Sequence, residues 1–179
     1  LPMGFYSAST LIEDSKRHGI EVRPIDVTKS EWLCTLEPTG NGFAVRMGLR
    51  FVKGLNELVS VKVREAHDTS SIEGLARSGV DERSLRLLAE AGALAPLEPS
   101  RRAALWKARG ADAMPLALEE PAQLSFAELT PGQHISWDYE RTAHSTRGHP
   151  VAPLRNELRR RGWLNSKEVH TLRHDASAR

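Results

Sequence analysis

Gly48-Leu49-Arg50-Phe51-Val52-Lys53-Gly54-Leu55-Asn56 runs into a helix-like segment ending at Ala66, and its reading decides the fold. It reads as the tail of a short helix, a tight turn at Gly54-Leu55-Asn56 and the start of a second helix. Such a helix-hairpin-helix turn leaves several backbone N–H groups unpaired at a helix N-terminus, where a phosphate can accept them. Lys53 directly precedes the turn, and Arg50, Lys62 and Arg64 flank it. This is chemistry for holding a DNA backbone without reading its bases. The candidate DNA-binding residues are therefore Arg50, Lys53, Gly54, Leu55, Asn56 and Arg64.

Downstream of the turn, Leu55, Val59, Val63 and Ala66 share one helical face. Ser70-Ser71-Ile72-Glu73 predicts a capped helix through Arg77. Gly79-Val80-Asp81 predicts a second hairpin turn, with Asp81 as N-cap of a helix carrying Leu85, Leu88 and Ala89 and stopping near Gly92. Ser100 predicts the cap of another helix through Arg109. The two turns, about 25 residues apart, predict a paired helix-hairpin-helix unit.

Upstream, Ser9-Thr10 predicts a short capped helix stopped at His18-Gly19. Ile20–Arg23, Trp32–Leu36 and Phe43–Met47 read as strands, the last two joined across Pro38-Thr39-Gly40-Asn41-Gly42. Residues 110–130, acidic and rich in Ala and Pro, read as a linker. Thr130-Pro131 opens a helix through about Arg141. A basic helix spans about 152–161 up to Gly162, and Asn165-Ser166-Lys167-Glu168 caps a last one. The fold class is thus mainly α with a small α/β N-terminal part, a tandem helix-hairpin-helix unit being followed by a helical connector.

With 40% hydrophobic and 27% charged residues among 179, the composition is globular. The net charge of +2 is uninformative, but its distribution is not. Residues 46–67 carry five Lys/Arg against two Glu, and 99–109 carry four basic residues and no acid, whereas 68–98 sum to −3 and 110–130 to −4. Alternating blocks of this kind imply local cationic patches. The single cysteine, Cys34, excludes a disulfide framework within the chain and a Cys-rich zinc site, and fits a reducing, cytoplasmic setting. No run approaches the roughly 20 apolar residues of a membrane span. The chain begins with Leu1 and reads as a piece of something longer. Trp32, Trp106, Trp137 and Trp163 are read as core or packing anchors, and none as a platform for stacking a base.

Catalytic patterns are missing. Two-metal nucleotidyl transfer needs clustered carboxylates, and the sequence has no Asp-x-Asp pair; Glu13-Asp14 and Glu119-Glu120 read as a helix face and a linker. Neither G-x-x-x-x-G-K-[ST] nor G-x-G-x-x-G occurs. His170 and His174, four apart, lack a third ligand. No catalytic and no metal-binding residue is assigned.

Five motifs in order carry a family resemblance: Leu1-Pro2-Met3-Gly4-Phe5-Tyr6-Ser7, Arg17 to Val27, Cys34-Thr35-Leu36-Glu37, Gly48 to Gly54, and Arg147-Gly148-His149-Pro150-Val151. Together they resemble the error-prone DNA polymerases of bacterial family C, relatives of the polymerase III α-subunit. The resemblance implies the C-terminal part of the fingers over 1–45, a tandem helix-hairpin-helix DNA-binding domain over 46–109, and a linker and helical connector over 110–179, toward an oligonucleotide-binding barrel. It places the metal-binding carboxylates of the palm outside this chain. Mg2+ is accordingly implied for the whole polymerase, and no cofactor for this segment.

The resemblance also implies a role in DNA synthesis past lesions and in DNA repair, with double-stranded or primer–template DNA as partner, other translesion or replication proteins as further partners, and no membrane. Lys53, Gly54 and Leu55 fall on the family's first hairpin, which grips duplex DNA. Asn56 stands where a hairpin often has its second glycine, and Asn tolerates left-handed backbone. Ala8 stands where a proline is expected. Two other readings stay open: a stand-alone, non-catalytic helix-hairpin-helix DNA-binding module, and a scaffold whose helices dock on protein partners.

Overall fold

A computed structural model describes residues 6–110 and 126–172. The chain forms two compact units, Leu1–Arg147 and Gly148–Arg179. The architecture is mainly α with a small sheet on the N-terminal side.

Helix α1 (Ala8–Arg17) is capped by Ser7, whose hydroxyl accepts from the Thr10 amide, so the cap lies just before the Ser9-Thr10 pair that predicted it. Strands β1 (Val22–Arg23), β2 (Thr35–Thr39) and β3 (Gly42–Arg46) make one sheet in the order β1-β3-β2. β1 runs parallel to β3 and β2 antiparallel to it. The predicted turn at 38–42 is tighter than expected: Pro38 pairs with Phe43 and Thr39 with Gly42, so only Gly40 and Asn41 connect the strands. β2 is an edge strand, where proline's missing N–H is tolerated.

Ion pairs bind the sheet together. The buried Arg46 gives Nε and Nη2 to the two Glu37 carboxylate oxygens at 2.7 and 3.0 Å, and Nη1 to the Pro24 carbonyl at 2.8 Å. Arg23 adds a 2.6 Å bond to Glu37. The Arg46 and Arg23 guanidinium groups hold the Glu37 carboxyl down to about 2. Arg23 is thereby part of the sheet's scaffold.

Beyond the sheet the chain is helical: a 3-10 turn (Leu49–Phe51), α2 (Glu57–Glu65), α3 (Ile72–Arg77), α4 (Glu82–Glu90), α5 (Arg101–Gly110) and α6 (Pro131–Thr142). Caps define these boundaries. Ser71 accepts from the Gly74 amide, Asp81 from the Ser84 amide, and Thr130 and Gln133 form a reciprocal capping box. One hydrophobic core runs from Ile12 through Ile25, Met47, Leu49, Val59 and Val63 to Ala104 and Ala108. It therefore spans the segments that the sequence reading assigned to fingers and hairpins. Leu75, Leu85, Leu88 and Leu94 are completely buried. At about 1.5–3 kcal/mol each, such burial outweighs any exposed ion pair in holding the hairpin helices together.

The second unit holds a 3-10 turn (Ala152–Leu154), α7 (Arg155–Arg160) and α8 (Ser166–His170). His149 fixes its first turn: its Nδ1 accepts from the Val151 amide at 3.2 Å. Most of the predicted linker and His174 fall outside the described residues. Among those described, no helix is long and apolar enough to cross a membrane, and no group of three or more His, Cys, Asp or Glu is placed to hold a metal ion.

Candidate nucleic-acid interface

The Gly54 turn connects the 3-10 turn to α2. Gly54 has φ +81°, a left-handed conformation that glycine adopts without strain. Asn56 does not share it. Its backbone is extended (φ −98°, ψ 147°), and its side-chain Oδ1 accepts from the Leu58 amide at 3.0 Å. One left-handed residue suffices to reverse the chain, and Asn56 serves as the N-cap of α2 rather than as a substitute for a second glycine.

This arrangement leaves backbone donors at exposed residues without partners. Among the described residues, the amides of Gly54, Asn56 and Glu57 have no acceptor, whereas the Leu55 amide bonds the Val52 carbonyl at 3.1 Å. The Leu55 side chain packs against the core, so this residue supports the turn from below. Three free N–H groups around a helix N-terminus form a site for an anion.

Lys53 is drawn the other way. Its amide donates to the Arg141 carbonyl at 2.9 Å, and its ammonium to the Glu140 and Tyr139 carbonyls at 2.9 and 3.4 Å. The lysine thus neutralises the negative C-terminal end of α6 and ties it to the hairpin. Arg50 is exposed, its guanidinium carbon 6.0 Å from the Phe51 ring centroid. Arg64 is also exposed but lies seven residues into α2, about 10 Å along the axis from its start. It lines a groove of about 860 Å³ with Lys29, Trp32 and Ser60. The structure therefore gathers Arg50, Lys53, Gly54, Leu55 and Asn56 at the turn and sets Arg64 apart.

The second turn repeats the first with a different outcome. Gly79 has φ +93°, Val80 is buried, and Asp81 caps α4 as Asn56 caps α2. Here the Gly79 and Val80 amides are already bonded to the Ala76 and Leu75 carbonyls, at 2.9 and 3.1 Å. Burial opposes ionisation of Asp81, yet the Ser84 hydroxyl and amide hold its carboxyl below the ordinary range. An ionised cap over satisfied amides repels a phosphate. The turn is instead joined to α2, because Lys62 donates to the Gly79 carbonyl at 2.8 Å. Lys62, which the sequence places among the cations flanking the first turn, is thereby engaged at the second.

Three features escaped the sequence reading. Glu57 puts a carboxylate in the first turn of α2, beside the free amides. Arg101 and Asp138 form a buried ion pair between α5 and α6. Trp106 and Trp163 are 56% and 58% exposed, so neither is a core residue, although the Trp106 ring lies 6.3 Å from that of Phe126.

Residues 19–104 match the family model described as "Helix-hairpin-helix motif". Along the chain as a whole, an error-prone DNA polymerase of Methylococcus capsulatus is 38% identical over 99% of the chain and 20% of that protein. Those of Pseudomonas paraeruginosa and Alkalilimnicola ehrlichii are 36% and 38% identical, over 99% and 97% of the chain and 18% of each protein. The chain is a homologue of one segment of the error-prone DNA polymerases. It spans about a fifth of the length of the curated relatives it matches. Within this chain, the matched helix-hairpin-helix region takes in β1 to β3 as well as both turns. The magnesium implied for polymerase chemistry finds no carboxylate cluster among the described residues. Glu13 pairs with Lys16 on α1, and Asp14 lies 3.6 Å from His18.

Proposed function

We propose that this chain holds the backbone of duplex or primer–template DNA for an error-prone DNA polymerase, gripping phosphates at the first hairpin without reading sequence. The observation that carries the reading is the Gly54–Glu57 turn, with three amides lacking acceptors at the N-terminus of α2. A phosphate oxygen would accept from the Gly54, Asn56 and Glu57 amides, with Arg50 supplying charge beside it. Lys53 acts chiefly by fixing the turn to α6, its remaining ammonium proton turned to the phosphate. Arg64 would meet a phosphate further along the strand. These contacts lengthen the stay on DNA and leave the chemical step to the palm. The reading extends to the whole polymerase as a cytoplasmic nucleotidyltransferase that copies damaged templates during repair.

The test is fluorescence anisotropy of a labelled primer–template duplex with the chain, across a salt series. Binding should weaken steeply with salt, because neutralised phosphates release counterions. Gly54→Val should abolish most of it, and Arg50→Gln should lower the salt slope by about 1. Lys53→Met should cost stability as well as affinity. A folded Gly54→Val variant that binds as tightly as the parent would overturn the assignment of this turn.

A further inference from the structure

None of residues 148–172 is buried. Leu154, Trp163, Val169 and Leu172 are 56%, 58%, 46% and 37% exposed. Trp163 is nevertheless held in place. The Gly162 amide bonds the Arg159 carbonyl at 3.0 Å and the Trp163 amide bonds the Leu158 carbonyl at 2.9 Å. With Gly162 at φ +78°, these two bonds make a Schellman stop that fixes Trp163 just past the last turn of α7.

The same unit is rich in cations, on α7 before the indole and on α8 after it. Arg155 and Arg159, four residues apart, share a face of α7, and neither they nor Lys167 of α8 meet a carboxylate among the described residues. Glu157 bridges both Arg160 and Arg161 at 2.7 Å, but those arginine side chains are 76% and 68% exposed. Pairs so open to solvent contribute little and yield to a stronger anion. Glu168 is engaged in the α8 capping box, accepting from the Asn165 amide at 2.7 Å. The unit thus combines an exposed aromatic ring, carried on a fixed stretch of backbone, with cations free to take phosphates. Charge complementarity selects a polyanion, and the ring selects one with faces to stack.

We propose that the Gly148–Arg179 unit binds single-stranded nucleic acid, one base stacking on Trp163 and phosphates held by Arg155, Arg159 and Lys167. Arg160 and Arg161 exchange Glu157 for the backbone as the strand enters. The proposal uses none of the residues of the Gly54 turn and does not rest on duplex binding there.

The experiment uses the full chain and a fluorescein-labelled oligothymidine of about 15 nucleotides, within reach of a small stacking surface. Trp163→Ala should weaken binding about tenfold, while Trp163→Phe, which keeps a ring, should lose far less. Arg155→Gln with Arg159→Gln should reduce the slope of log affinity against log salt by ~1.4, two single-strand phosphates' worth. Gly54→Val should leave oligothymidine binding intact, which separates this site from the hairpin. Far-UV circular dichroism on each variant keeps loss of fold from passing as loss of contact. Three results overturn the proposal: Trp163→Ala binding within twofold of the parent, loss of oligothymidine binding in a folded Gly54→Val variant, or capture of phosphatidylserine vesicles with no oligothymidine binding.

Discussion

The guanidinium of Arg101 lies directly over Gly92, where a β-carbon added to the glycine would stand 2.7 Å from Nε and 2.9 Å from Cζ. Gly92 also has φ +75°. The turn after α4 is therefore shaped to admit a buried arginine, which pairs with Asp138 and donates to the His134 and Ala91 carbonyls. Asp138 also accepts from the Ser145 hydroxyl at 2.7 Å. Through this pair α6 is clamped to α5, while its C-terminal carbonyls meet Lys53 and its Arg141 meets Glu90 at 3.0 Å.

Gly92→Ala should accordingly destabilise the chain by about 3 kcal/mol or more, combining left-handed strain with a displaced buried charge. Urea denaturation followed by far-UV circular dichroism measures this. A loss under about 0.5 kcal/mol, the usual range for an inconsequential surface change, would show that the guanidinium can move aside freely.

Removing one partner of that clamp should be worse than removing both. Arg101→Met leaves the Asp138 carboxylate buried, its remaining partners among the described residues being the Ser145 hydroxyl and, at 3.7 Å, Arg147 Nε. The single variant should lose roughly 3–5 kcal/mol, and Arg101→Met with Asp138→Leu should recover most of it, because the desolvated charge is gone. Equal losses in the single and double variants would mean that the pair itself, not the orphaned carboxylate, sets the stability.

The hairpin turns, the helix caps at Ser71, Asp81, Thr130 and Asn165 and the apolar stripe of α2 were legible because they depend on neighbours in sequence. Gly54, Asp81 and Gly162 announce their conformations by residue type alone. What stayed hidden depends on residues distant in sequence. Lys53 reads as a phosphate ligand until α6, some 86 residues away, offers it carbonyls. Lys62 reads as a cation flanking the first turn until the Gly79 carbonyl of the second appears beside it. Tryptophan composition suggests core, but Trp163 follows a glycine stop and an arginine run, a local signal for exposure that the hydrophobic label masks. β2 began three residues later than its apolar run, because pairing with β3 sets its register.

Asn56 separates capping from phosphate binding. Asn56→Ala removes the bond to the Leu58 amide and should cost about 1 kcal/mol of stability. Asn56→Asp keeps that bond and adds negative charge at a helix N-terminus, so stability should hold or rise by about 0.3–1 kcal/mol. The same aspartate would repel a phosphate at the Gly54 and Glu57 amides. Asn56→Asp should therefore weaken primer–template binding at low salt while raising the melting temperature. Unchanged DNA affinity would place the duplex contact elsewhere.

Stability should fall as the solution is acidified from pH 8 toward 5, with His144 the main cause. Its ring is buried, stacks edge-on to Phe51 at 5.6 Å, and gives its Nδ1 proton to the Thr142 carbonyl at 2.8 Å. Burial pushes its pKa below the ordinary histidine value, with Lys16 assisting and the Thr142 bond and Asp138 opposing. His134 is lowered as well, by burial and by Arg147 and Arg101. A histidine whose folded pKa is depressed favours the unfolded chain once that chain takes up its proton. The stability is thus complete above about pH 6.5 and is lost as pH falls from there toward the folded pKa. Within that window each such group contributes a slope of up to about 1.4 kcal/mol per pH unit. The acid-side loss from Glu37 begins only below its unfolded value of 4.5, as pH drops toward about 2. Asp68, Asp81 and Glu98, also held below their ordinary values, likewise lose their contribution on the acid side of that range, so guanidinium midpoints between pH 8 and 5 report chiefly the histidines. His144→Gln, which can still donate to Thr142, should flatten most of the slope. If the slope survives in His144→Gln and disappears in His134→Gln, the proton is taken up at α6's first turn and not beneath Phe51.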